Sequence, residues 1–112
     1  MILSEEKNGK VFVLGIIGKV DIEGAKTFLE RVSQILDTGE QYVLIDFTQV
    51  SYINSTGLRA LILVAKRLAS TGGKVILAGV NDQIQKIFKI SGLMSIFTLQ
   101  PTKAEALAAF PQ

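Results

Sequence analysis

Apolar residues recur along this chain with two different periods, which predicts alternating strands and helices. Five short segments that contain apolar residues are predicted to be β-strands. They cover residues 2–6, 11–17, 42–45, 75–78 and 95–98. The third and fourth runs are uninterrupted, which is typical of strands covered on both faces. Between the first two runs, Asn8-Gly9 favours a type I′ turn, so these strands should form an antiparallel hairpin.

Helical spacing dominates the remaining segments, and polar residues mark where four helices should begin. The predicted starts are Asp21, Asn54 or Ser55, Asn81, and a capping box over residues 102–105. The first helix should bury Ile22, Ala25, Phe28, Leu29, Val32, Ile35 and Leu36 and stop near Gly39. The second should bury Leu58, Leu61, Ile62, Ala65, Leu68 and Ala69. The third carries Ile84, Ile87 and Phe88 and should stop near Gly92.

The order of these elements predicts an α/β fold. After the hairpin, strands alternate with helices, so the later strands should pair in parallel through right-handed crossovers. The result is a small mixed sheet with about four helices packed on it. At 112 residues the chain should form a single domain over residues 1–112.

Composition excludes several kinds of chemistry. The chain has neither cysteine nor histidine, which rules out disulfides, a thiol nucleophile, an imidazole base and the commonest zinc ligands. We therefore expect no catalytic residues, metal or cofactor. The net charge of +2 is too small to indicate nucleic-acid binding. The longest apolar run, residues 60–65, is too short to cross a membrane, and no basic signal segment begins the chain, so a cytoplasmic location is expected.

The most informative stretch covers residues 43–58. A buried strand ends at Asp46, a loop is expected to follow, and small hydroxylated residues open a helix at Ser55. In open α/β folds, function concentrates at the carboxyl ends of strands and at helix N-termini. Free N–H groups and the helix dipole favour an anion there, so a phosphoryl group on a serine would be well placed.

At this point the chain resembles the STAS domains of bacterial anti-sigma-factor antagonists. The family pattern is a strand, then Asp-φ-Ser/Thr-x-Val-x-φ-φ-Asp-Ser-Ser/Thr/Ala-Gly-Leu, where φ is apolar. Residues 46–58, Asp-Phe-Thr-Gln-Val-Ser-Tyr-Ile-Asn-Ser-Thr-Gly-Leu, match it at nearly every position. Residues 18–21 and 87–97 match two further family segments, Gly-x-φ-Asp and φ-φ-x-φ-x-Gly-Leu-x-x-φ-Phe, in the correct order.

The resemblance implies a function in partner switching, without catalysis by this chain. In the family, an anti-sigma factor that is also a serine kinase phosphorylates the serine that corresponds to Ser55, and a serine phosphatase is a further partner. The unmodified protein binds the anti-sigma factor and releases the sigma factor. One position departs from the pattern, since Asn54 replaces the usual aspartate. Asparagine also caps helices well, so the backbone geometry should be preserved.

Several of these residues also have purely structural interpretations. Ser55 could be an ordinary N-cap, and Thr56 is a neighbouring, weaker acceptor. Gly57 could be tolerated near a helix end, or its missing side chain could hold the phosphate and partner close to the backbone. Asp21 should cap its helix, and the resemblance places it at the border of the docking surface. Asp46 should cap a turn.

A docking stripe is predicted on the helix that Ser55 opens. Thr56, Arg59, Leu63 and Arg67 should share one side of this helix, roughly opposite the apolar stripe. An exposed leucine between two arginines offers a partner one apolar anchor and two cationic donors. Single exposed leucines are nevertheless common on protein surfaces.

Two other functions remain open from the sequence. The first is a STAS subunit that is never phosphorylated and instead scaffolds a lipid-transport or stress-sensing complex. The second is a receiver-like protein phosphorylated on Asp46. Receivers need an acidic pair after their first strand, which Glu5-Glu6 could supply, and a lysine after a late strand. The segment over residues 98–101 contains no lysine, which argues against the receiver.

Overall fold

The computed structural model describes residues 1–111, which form five strands and four helices in the predicted order. The strands are β1 (Ile2–Asn8), β2 (Val11–Val20), β3 (Tyr42–Ile53), β4 (Lys74–Ala78) and β5 (Thr98–Gln100). The helices are α1 (Ile22–Asp37), α2 (Ser55–Ser70), α3 (Asp82–Ile90) and α4 (Lys103–Ala108).

All five strands belong to one mixed sheet in the order β1-β2-β3-β4-β5. β1 and β2 pair in antiparallel fashion, and each later pair is parallel. One helix connects the strands of each parallel pair, as the alternation of elements predicted. The predicted mixed α/β architecture is therefore confirmed.

The sheet carries a hydrophobic core on each face. The larger core lies under α1, α2 and α3, with Phe28, Leu61 and Phe88 almost completely buried. The smaller core lies under α4, where the Phe110 ring packs on Tyr42 with centroids 5.9 Å apart. Because both faces are covered, β3 and β4 carry the uninterrupted apolar runs seen in the sequence.

The hairpin forms, but the predicted turn is wrong. Asn8 pairs with Val11, so the two turn residues are Gly9 and Lys10. Only Gly9 has a positive φ, of 58°, whereas a type I′ turn needs positive φ at both positions. Glycine at the first turn position is the pattern of a type II′ turn, and the two strands extend beyond the predicted 2–6 and 11–17.

The loop predicted after Asp46 is instead a continuation of β3, which runs to Ile53. This part of β3 pairs with β2 alone, and the register shifts twice so that β3 gains one residue each time. Such bulges break the alternation of inward and outward side chains. Phe47, Val50 and Ile53 are buried at intervals of three, which is why no strand pattern was visible.

The last strand begins later than predicted, at Thr98 instead of residue 95. Ile96 is exposed, while Phe97 turns inward and its ring stacks on Phe88 with centroids 5.6 Å apart. Residues 91–97 therefore form turns that bring Phe97 into the core, and pairing with β4 starts only at Thr98.

Two residues assigned to apolar helix stripes lie on the surface. Ile22, the first residue of α1, is 68% exposed. On α2 the buried side is rotated from its predicted position, so Ala69 is exposed while Ala60 and Val64 are buried. α1 packs along that side of α2, a tertiary contact that the spacing within α2 could not reveal.

Candidate functional site

Two helix starts lie side by side at the carboxyl edge of the sheet. Val20 and Ile53 pair in the parallel register at the ends of β2 and β3, and Asp21 and Asn54 follow them directly. The backbone N–H of Asn54 donates to the carbonyl oxygen of Val20 at 3.1 Å. This bond fixes the start of α2 next to the start of α1.

Asn54 is the N-cap of α2, and Ser55 is the first residue of the helix. The Oδ1 atom of Asn54 accepts a hydrogen bond from the N–H of Gly57 at 2.9 Å. The alternative in which Ser55 is itself the cap is therefore wrong. The Ser55 side chain is exposed, and within residues 1–111 its hydroxyl makes no hydrogen bond. A kinase could therefore reach this hydroxyl without first breaking a structural contact.

Gly57 is buried in the first turn of α2 because the turn packs tightly against the sheet. A Cβ atom at this position would lie 2.7 Å from Ile53 Cγ1 and 3.1 Å from the carbonyl oxygen of Val20. Real Cβ atoms essentially never come within 3.0 Å of another atom, and 3.1 Å is tighter than nine in ten of their contacts. Neither earlier interpretation of Gly57 describes this role, which is to let Ser55 sit directly above the ends of β2 and β3.

The start of α2 is also electrostatically distinct. The first turns of α1, α3 and α4 contain Glu23, Asp82 and Glu105, respectively, whereas the first turn of α2 has no acidic residue. No carboxylate within its own first turn therefore offsets the positive end of its dipole, although Asp21 caps the adjacent α1. This environment favours negative charge at Ser55.

Asp21 is the N-cap of α1, as predicted, with its Oδ1 atom accepting from the N–H of Gly24 at 2.8 Å.

Asp46 is half-buried, and its Oδ1 atom accepts from both the backbone N–H and the hydroxyl of Thr48, at 2.9 and 2.8 Å. Asp46 thus has a local structural role, but the turn predicted for it is wrong, because Asp46 and Thr48 both lie within β3, at its first bulge.

The acidic pair that a receiver would need does not come together. Glu5 forms an ion pair with Arg31 of α1, whereas Glu6 forms one with Lys103 of α4. These helices cover opposite faces of the sheet, so neighbouring glutamates on β1 point away from each other.

The predicted docking stripe is only partly free. Leu63 is 47% exposed, and Arg59 is exposed with no ion pair within residues 1–111. Arg67 instead forms an ion pair with Asp37 at the end of α1. Leu63 and Arg67 border a groove between α1 and α2 whose other wall includes Leu29. The surface that the predicted stripe forms on α2 thus extends across this groove to α1.

In residues 1–111, no three of the acidic side chains are grouped so that they could hold a metal ion. No helix in that range is long and apolar enough to cross a membrane.

The chain matches a known domain family and is similar to several proteins in it. The family model described as the STAS domain matches residues 3–106. A relative from Bordetella bronchiseptica, BtrV, whose name describes it as a candidate anti-sigma factor antagonist, is 32% identical over 98% of this chain and 95% of its own length. The anti-sigma-B factor antagonist of Listeria monocytogenes is 32% identical over 80% of this chain and 79% of its own.

A solved structure supports the fold. The phosphorylated form of SpoIIAA, a cell fate determinant of Bacillus, superposes with a TM-score of 0.77. The match covers 96% of this chain and 97% of that one, at 20% identity.

Proposed function

The chain belongs to the STAS-domain family and is related to its anti-sigma factor antagonists, and we propose that phosphorylation of Ser55 switches its binding to an anti-sigma factor. The anti-sigma factor would be a serine kinase, and a serine phosphatase would restore the unmodified form. The chain itself would act by binding, as a single cytoplasmic domain over residues 1–112, and not as an enzyme.

The observation that carries this proposal is the position of Ser55. Its hydroxyl is exposed at the first residue of α2, while Asn54 alone supplies the cap. A modification at Ser55 would therefore leave the helix start intact. That a relative of the same fold has been described in a phosphorylated form is consistent with this assignment.

The switch follows from the charge of the phosphoryl group. Phosphorylation adds about −1.5 to −2 charges and three acceptor oxygens. At an interface that accommodates a neutral hydroxyl, the added charge must lose water or face repulsion, and an uncompensated buried charge costs about 2–5 kcal/mol of binding free energy. This corresponds to roughly 1.5 to 3.5 decades in Kd.

Calorimetry with the purified anti-sigma factor tests the proposal. We expect the unmodified chain and Ser55→Ala to bind alike, and the phosphorylated chain to bind at least about 30-fold more weakly. Thr56→Ala, which removes the adjacent hydroxyl, is the matched control and should still be switched off by phosphorylation. Equal binding of the phosphorylated and unmodified chains would favour the scaffold function instead.

A further inference from the structure

Charge is distributed very unevenly along this chain. Residues 1–46 contain eight acidic and five basic residues, whereas residues 47–104 contain seven basic residues and one acidic residue, Asp82. The second segment includes α2 and α3, which lie on the same side of the sheet. The small net charge of the whole chain therefore conceals a strongly basic region.

The basic region forms one surface, the outer side of α2 and α3. Leu61 of α2 and Phe88 of α3 point into the shared core. Exposed cations lie on the other side of both helices. We call this surface the basic face and define it by Arg59, Lys66, Lys86 and Lys89, which are exposed and in no ion pair within residues 1–111.

The two arginines outside the basic face are ion-paired: Arg67 reaches Asp37 of α1, and Arg31 pairs with Glu5. The four cations of the basic face form no ion pair within residues 1–111, although Asp82 precedes Lys86 by four residues on α3. Their positive charge is therefore available to attract another molecule.

We infer that the anti-sigma factor presents an acidic protein surface to the basic face. This inference rests on the proposed function and names the chemistry of the partner. Exposed apolar side chains lie on the same two helices, with Leu63 47% and Ile90 87% exposed, and a protein surface can bury such anchors. A nucleic acid could also match the charge, but its phosphate backbone would leave these exposed apolar side chains without an apolar contact.

The basic face also explains how a phosphoryl group on Ser55 would weaken binding even if it touches no atom of the partner. Ser55 precedes Arg59 by four residues, so both lie on the same side of α2. A phosphoryl group at Ser55 would cancel much of the nearby positive charge and repel an acidic partner.

Association kinetics test the inference. Stopped-flow measurements would follow the anti-sigma factor binding to Arg59→Glu, Lys66→Glu and Lys86→Glu at 50 and 300 mM NaCl. We expect each variant to associate about threefold or more slowly at 50 mM, with the difference largely lost at 300 mM. Lys10→Glu is the matched control, because Lys10 is also exposed and unpaired within residues 1–111 but lies in the hairpin turn.

Each outcome decides one of the two proposals. If Lys10→Glu slows association as much as the other variants do, or if the association rates do not depend on salt, the inference of an acidic partner surface is overturned. The proposal that phosphorylation of Ser55 switches binding would be unaffected. If the anti-sigma factor does not bind at all, the proposed function fails.

Titrating poly-L-glutamate and a 20-base-pair DNA duplex into the 15N-labelled chain then tests the basic face alone. Shifts confined to α2 and α3 with polyglutamate would support the inference, whereas tighter binding of DNA, or shifts elsewhere, would overturn it.

Discussion

Gly57 lies so close to Val20 that a Cβ atom at position 57 would come within 2.8 Å of the Cγ1 atom of Val20. The two residues are far apart in sequence, and their contact sets how deeply the first turn of α2 sits on the sheet. Because Ser55 belongs to that turn, its position depends on a residue at the end of β2.

Gly57→Ala should therefore disturb both stability and phosphorylation. Alanine favours helix by about 1 kcal/mol, but overpacking a tight site costs about 1–3 kcal/mol, so we expect a net loss of up to about 2 kcal/mol in the free energy of unfolding. Phosphorylation of Ser55 should slow as the turn is displaced. Urea denaturation and a kinase assay measure the two effects. Thr56→Ala, an exposed change in the same turn, is the control, and an unperturbed Gly57→Ala would disprove the close packing.

Two substitutions of Asn54 separate the effect of its capping hydrogen bond from the effect of a negative charge next to Ser55. Asn54→Ala should lose about 1 kcal/mol of stability because the N–H of Gly57 loses its acceptor. Asn54→Asp keeps the cap and gains about 0.3–1 kcal/mol from the helix dipole. If the family's usual acid helps to present the hydroxyl, Asn54→Asp should also be phosphorylated faster. An unchanged rate would mean that the kinase is indifferent to this substitution.

Helix starts could be predicted from the sequence because their determinants are local. Asp21, Asn54, Asn81 and Thr102 each accept a hydrogen bond from a backbone N–H three residues later. A contact of this range is visible in a short window of sequence. For Ser55 this window indicated a helix start but could not decide between Asn54 and Ser55 as the cap, and its role as phosphoacceptor rests on the family resemblance.

Features that depend on distant residues could not be predicted. The second half of β3 pairs only with β2, and two bulges gave it an irregular burial pattern. The pairing of Arg67 with Asp37 joins residues 30 positions apart and has no local signal. The role of Gly57 had one weak signal, since glycine is a poor helix former, but its neighbours on β2 and β3 were not visible.

Leu63 should contribute more to binding than to folding. It is half-exposed at the edge of the groove between α1 and α2. We expect Leu63→Ala to weaken binding of the anti-sigma factor by about 1–2 kcal/mol, with at most about 0.5 kcal/mol lost from stability. Calorimetry and urea denaturation measure the two quantities, with the exposed Ile22→Ala as a control for a general loss of apolar surface. A loss of several kcal/mol in stability would show that Leu63 belongs to the core.

The ion pair between β1 and α1 predicts a pH dependence of stability. Glu5 Oε2 accepts from Arg31 Nε at 2.5 Å and Glu5 Oε1 from Nη2 at 2.7 Å, and these hydrogen bonds hold the pKa of Glu5 below its usual range. A lowered carboxyl pKa stabilises the folded state above the unfolded value of about 4.3, and this stabilisation disappears as the pH falls through the folded value.

Glu5→Gln should accordingly lower the urea midpoint at pH 7, and the difference from the unsubstituted chain should shrink as the pH falls below about 4. The effect should be small and should decrease with added salt, because the pair is exposed. Glu30→Gln is the control, since Glu30 is an exposed α1 residue with no ion pair within residues 1–111. A difference that grows towards low pH would contradict the assignment.

The most direct test of the switch is to map the phosphorylated residue. The chain would be incubated with the anti-sigma factor and ATP, digested, and sequenced by tandem mass spectrometry, with Ser55→Ala treated in parallel. We expect one acid-stable phosphoryl group, on Ser55, and no labelling of Ser55→Ala. Modification outside residues 54–57, for example at Ser70 or Thr71, or an acid-labile phosphate on Asp46, would contradict the assignment.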